Sequence, residues 1–233
     1  MTSERASKTA DWLHYLAGSF ASCSLLCAVL YGRWRNVVVA SEVTAQTHHL
    51  LAAVLGMLAM HASWKDVLTS ASVMGANAQF PLVEELQYIN IGYFLYDCMH
   101  VFTWDTKFIL HHIVALLGFG ISAGVGCFGL ANAVNTVVAE LGSIMYNQYN
   151  KNKTLVNYKR FVLGYGISRL FFAVWTFVVV YHCLSATQKP HFAPRWIPYF
   201  AAALQITLLV VNAVFLATHV RKLRAKLAED KTD

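Results

Sequence analysis

The chain has 233 residues, of which 57% are hydrophobic and only 13% charged, with a formal net charge of +6. Soluble domains carry about 25% charged residues, so this composition, with a mean hydropathy of +0.48, excludes a soluble globular enzyme and reads as a polytopic membrane protein. The positive charge is not a nucleic-acid signal, because Lys and Arg fall between apolar segments and at the chain ends, as membrane topology requires.

Seven apolar segments follow in order, and a span needs about 20 residues. The first is expected over Trp12–Tyr31, the second over Val37–Met60, the third over Glu85–Trp104 and the fourth over Phe108–Val125. The fifth covers Cys127–Tyr149, the sixth Phe161–Leu184 and the seventh Trp196–His219. The polar first ten residues and the long run after them read as a first span, not as a cleavable signal peptide. The expected fold class is therefore all-α, with about seven transmembrane helices. Residues 1–36 form an N-terminal tail and first helix, 37–220 one domain, and 221–233 a basic tail. Five cysteines without a CxxC pair read as small buried hydrophobes rather than a disulfide framework.

With seven spans, one side of the membrane collects twelve Lys and Arg and the other five, with Arg169 left inside a span. The positive-inside rule then puts the C-terminus in the cytoplasm and the N-terminus on the lumenal side. Trp12, Trp34, Trp64, Trp104 and Trp196 fall near span ends, where interfacial anchors belong, and Trp175 does not.

Residues three and four apart share a helix face. The third segment aligns Asn90, Tyr93, Asp97, His100 and Trp104. The second aligns Glu42, Gln46, His49, Ala53 and Gly56, and the fifth Thr136, Glu140, Ser143 and Asn147. The sixth offers Tyr165, Arg169, Phe172 and Thr176, and the seventh Gln205 and Asn212. The fourth opens with His111-His112 and continues as a low-bulk face through Ala115, Gly118 and Ser122. Six helices with one polar seam each predict a bundle with a shared polar interior and the first helix outside it. At 1.5 Å per residue, His111 and His112 lie roughly 5–6 Å inside their span, and Asp97, Glu140 and Arg169 on the order of 10–14 Å inside theirs. Ionisable groups in a span mark a functional site or a paired polar network. The network reading expects Arg169 to pair with Glu140 or Asp97.

No metal site is expected: adjacent histidines point about 100° apart on a helix, and neither histidine pair has a further histidine just upstream to complete a ligand box. Acyl transfer fits better. A histidine acts as general base or nucleophile, Asp97 on the preceding helix can fix its tautomer, and Tyr93 can donate to a carbonyl oxygen.

Gly92-Tyr-Phe-Leu-Tyr-Asp97, a polar turn, and then His111-His112-Ile-Val resemble the signature of TLC-domain membrane proteins, the family that includes the ceramide synthases. Ser41 with His49, then Glu140, Ser143 and Asn147, and then Arg169 extend the resemblance over residues 37–220. It implies a six-helix TLC bundle in the endoplasmic reticulum with one helix in front. It further implies catalysis by His111, His112 and Asp97, and a substrate site of Tyr93, His49, His100, Glu140, Asn147 and Arg169. No bound cofactor is implied; acyl-CoA is the co-substrate, and a long-chain base or other lipid amine the acceptor. Ala115 follows the histidine pair and Ile-Val where ceramide synthases usually have Thr, and their acidic motif on the next helix is missing. The chain thus sits closer to the smaller TLC-domain-containing proteins. Two functions follow from the same bundle. One is an acyl-CoA-dependent lipid N-acyltransferase resembling ceramide synthase. The other is a non-enzymatic lipid-binding or membrane-lipid-homeostasis and trafficking protein.

Overall fold

A computed structural model describes residues 3–99, 106–185 and 194–230. Among them the chain is helical, with no strand. The helices are α1 (Ser3–Trp34), α2 (Val37–Ala62), α3 (Ala71–Met74), α4 (Val83–Cys98), α5 (Thr106–Val125), α6 (Gly129–Lys151), α7 (Leu155–Ser185) and α8 (Ile197–Glu229). All but α3 coincide with the seven apolar segments, and the protein is an all-α polytopic membrane protein. By length and composition alone, Leu13–Trp34 of α1, α2, α7 and α8 can each cross a membrane, while Ile109–Val125 of α5 is a shorter apolar helix. Helix α4, with 16 residues, is shorter than that group, and α6 gives up apolar positions to Asn, Gln and Glu.

Local chemistry sets the helix ends. Asn36 caps α2, its side-chain oxygen accepting from the N–H groups of Val38 and Val39 at 3.1 and 3.2 Å. Thr154 accepts from the N–H of Asn157 at the start of α7, and Pro198 occupies the first turn of α8, where its missing N–H costs nothing.

Six helices close a ring in the spatial order α2, α4, α5, α8, α7, α6, each packed on the next. Helix α1 lies outside the ring against α2 and α4, and only 6% of its apolar stretch is buried. Its seat on α4 is the Gly92 position, where a Cβ would stand 2.5 Å from the Leu16 carbonyl oxygen. Beside it the Ser19 hydroxyl donates to the Ile89 carbonyl at 2.8 Å.

One end of the ring is plugged by the α2–α4 connection. Asn77 receives the N–H of Gly129 at 2.8 Å and donates through Nδ2 to the Ser122 carbonyl at 3.0 Å. Phe128 donates its N–H to Val73 at 3.1 Å and takes a left-handed φ of 69°. The residue after it must be glycine, since a Cβ on Gly129 would collide with Val83, Gln87 and Asn77. Above this plug Trp175 packs with Val73, Cys127 and Phe128 in the core, which is why it departs from the interfacial pattern. Cys27, Cys127 and Cys183 are buried, Cys23 and Cys98 partly so, and all five are free thiols, as the sequence indicated.

Candidate functional site in the bundle cavity

The ring encloses a cavity of about 600 Å³, within the usual range of roughly 300–1,000 Å³ for ligand sites. All six ring helices line it. Its deep end, against the plug, is walled by Ile121, Phe128, Ala131, Val179, Ala201 and Leu204. Its opposite end, formed by the start of α2, the end of α4, the start of α5, the end of α6 and the second half of α8, is polar. The inward polar residues of α4 and α6 converge there.

Two acid–histidine pairs form this polar layer. His112 donates from Nε2 to Asp97 Oδ2 at 2.6 Å, bridging α5 and α4. His49 Nδ1 pairs with Glu140 Oε2, bridging α2 and α6. Both carboxylates and His112 are buried, and a charge out of water is tolerated only with such a partner. His111 is only partly buried and faces the cavity. Its ring stands 5.7 Å from that of His112, nearly perpendicular to it, and edge-on to Phe94. Among the described residues it makes no hydrogen bond. Tyr93 packs against both histidines of α2: its ring stacks on His48 at 3.7 Å with an interplanar angle of 7° and meets His49 edge-on. Its hydroxyl has no hydrogen-bond partner among the described residues.

Arg169 corrects the sequence expectation. It makes no ion pair among the described residues, because Glu140 and Asp97 are already taken by histidines. Its guanidinium lies 4.1 Å from the centre of the Tyr165 ring and donates to the Val138 carbonyl at 3.3 Å. Planar, weakly hydrated Arg suits such stacking better than Lys would. Tyr165 in turn donates to Asn212 at 3.1 Å, so α6, α7 and α8 are joined on this side of the layer. Asn147 lines the cavity, its Nδ2 without a hydrogen-bond partner among the described residues. His100 lies outside the described residues. Of the low-bulk face of α5, Ala115 and Gly118 line the cavity. Ser122 instead donates to the Cys127 carbonyl near the plug.

Sequence reasoning missed three parts of this site. His48, next to His49, was passed over, since nothing in one helix shows that it stacks on Tyr93. Asn132 and Asn135 were overlooked on α6, although Asn132 continues the Thr136–Glu140 stripe by one turn. The reciprocal contact of Asn135 with Gln205, at 2.9 Å in both directions, joins helices far apart in sequence.

No curated protein and no solved structure matches the chain. The family model described as the TLC domain matches residues 39–221, a stretch that takes in all or most of every helix of the ring and both acid–histidine pairs. The chain belongs to the TLC-domain family.

Proposed function

We propose that this protein is an acyl-CoA-dependent lipid N-acyltransferase whose reacting groups are His112, Asp97, His111 and Tyr93. The observation that carries the reading is the His112–Asp97 pair standing beside His111, which makes no hydrogen bond among the described residues, at the polar end of an apolar-walled cavity. With Nε2–H held by Asp97, the His112 lone pair is on Nδ1. That atom takes a proton from the lipid amine as the amine nitrogen attacks the thioester carbonyl carbon. The hydroxyl of Tyr93 and the ring N–H of His111 donate to the carbonyl oxygen as it gains charge. The C–S bond then breaks, the oxygen re-forms the carbonyl, and the His112 imidazolium returns its proton to the departing thiolate of coenzyme A. The products are an amide and the free thiol. Asp97 remains ionised and stabilises the transient imidazolium. A long-chain base is the acceptor the shape favours, with its amine at the polar layer and its chain toward Phe128 and Val179. The charge bias of the connections supports a polar end facing the cytosol, where acyl-CoA is delivered, and the family resemblance supports the endoplasmic reticulum as the resident membrane.

The second reading, a non-enzymatic lipid-binding or homeostasis protein, draws on one observation: both buried carboxylates are already paired, which a purely structural network also achieves. Purified protein in lipid, given labelled acyl-CoA and a panel of lipid amines and lysolipids, separates the two. Amide product from the wild type that disappears in His112→Ala supports the enzyme. Lipid retention with no product from any acceptor supports the binding protein.

A further inference from the structure

The cavity has a second polar layer inside its apolar part. Asn135 on α6 and Gln205 on α8 exchange two hydrogen bonds of 2.9 Å across the interior. Gln205 also donates to the Thr176 hydroxyl on α7 at 3.2 Å. Helices α6 and α8 each pack on α7 and flank it in the ring, so this amide pair is a cross-brace through the cavity rather than a seam between adjacent helices. Gln205 and Thr176 are buried. One turn deeper on α6, Asn132 also lines the cavity, and its buried Nδ2 has no hydrogen-bond partner among the described residues. Beyond the brace the walls become apolar again, with Ile121, Phe128, Val179 and Leu204.

Leaving such groups in a lipid channel is unfavourable if only methylenes pass them. An unsatisfied buried amide proton carries its full desolvation cost. The second N–H of Gln205 goes to Thr176, so among the described residues the unused groups at this level are the Asn132 amide N–H groups, one N–H of Asn135 and one lone pair on each carboxamide oxygen of the brace. Free donors and free acceptors at one level match a hydroxyl group, which both donates and accepts. The level is fixed by the helix: Asn135 is five residues from Glu140, about 7.5 Å along α6, and Gln205 is seven from Asn212, about 10.5 Å along α8.

We propose that Asn132, Asn135, Thr176 and Gln205 form a specificity collar that selects a lipid chain bearing a mid-chain hydroxyl, one helical turn or two below the headgroup layer. The proposal rests on the reading of the cavity as a lipid site and names the class of chain it takes.

The experiment is binding of free fatty acids of one chain length to the purified full-length protein in detergent, by competition against a fluorescent fatty acid. The series comprises the unsubstituted acid and positional isomers of the monohydroxylated acid. Wild type should prefer one mid-chain isomer over the unsubstituted acid by about tenfold, the weight of satisfying one buried amide. Asn135→Leu with Gln205→Leu should abolish that preference while the plain acid binds as well or better. Asn132→Leu, which removes the orphan donor and leaves the brace intact, should lower the preference severalfold, so the test stands even if the double variant does not fold. Equal binding of all isomers by wild type would overturn the collar and leave the lipid cavity standing. No binding of any acid would overturn the collar together with the cavity reading.

Discussion

Asp97→Asn is the most informative single change. The side chain is buried and lies 2.6 Å from His112 Nε2, with charge centres about 4 Å apart once the imidazole forms a cation. Attraction between unit charges at that distance is about 4 kcal/mol at an effective dielectric constant of about 20. An amide keeps the contact, since its oxygen still accepts from Nε2–H, but it loses nearly all of this charge attraction. The attraction operates only while His112 is protonated, so its loss falls on the transition state and not on the ground state. At 1.36 kcal/mol per tenfold, the acylation rate should drop by about 10³, with the binding of acyl-CoA and acceptor nearly unchanged. Folding should change little, by about 1–2 kcal/mol, because no buried charge is left alone. The assay is initial-rate formation of labelled amide by protein in lipid, with thermal unfolding in detergent followed in parallel. A rate within threefold of wild type, from a folded variant, would refute the argument: no imidazolium would then form on His112 at the rate-limiting step.

His111→Ala should remove product formation while leaving thermal stability and fatty-acid binding intact, because the ring makes no hydrogen bond among the described residues; an active variant would leave Tyr93 as the only donor to the carbonyl oxygen. Arg169→Leu should lower folded yield, and neither Glu140→Gln nor Asp97→Asn should restore it, because its partners are the Val138 carbonyl, the Ser168 hydroxyl and the Tyr165 ring; restoration by either, read by fluorescence-detected size exclusion, would reinstate a direct ion pair. Gly92→Leu should destabilise by about 1–3 kcal/mol through overpacking against Leu16 and Ser19, and deleting residues 1–34 should suppress that effect in thermal unfolding. Asn152, in an Asn-Lys-Thr sequon at the α6–α7 turn, should carry no glycan in eukaryotic cells; a glycosidase-sensitive mass shift abolished by Asn152→Gln would invert the orientation.

The sequence alone was enough for the class of the protein and for most of the polar layer. Burying a backbone in lipid leaves the helix as the economical solution, so apolar length reads directly as helices. A polar residue in such a run has to turn away from lipid, so Asp97, Glu140, His49 and Arg169 could be placed inside the ring before any coordinates. Which of them pair was not legible. Helical periodicity places a residue on a face of its own helix, but the ring order α2, α4, α5, α8, α7, α6 decides which faces oppose. That order gives Glu140 to His49 and Asp97 to His112, and leaves Arg169 to a carbonyl and an aromatic ring. The same limit hid the Asn135–Gln205 brace, whose members are 70 positions apart, and the Asn77 plug, set in a segment too short and mixed to announce a structure. Composition and period are properties of one helix and survive in the sequence; the pairing of charges is a property of the closed ring, and only its assembly fixes it.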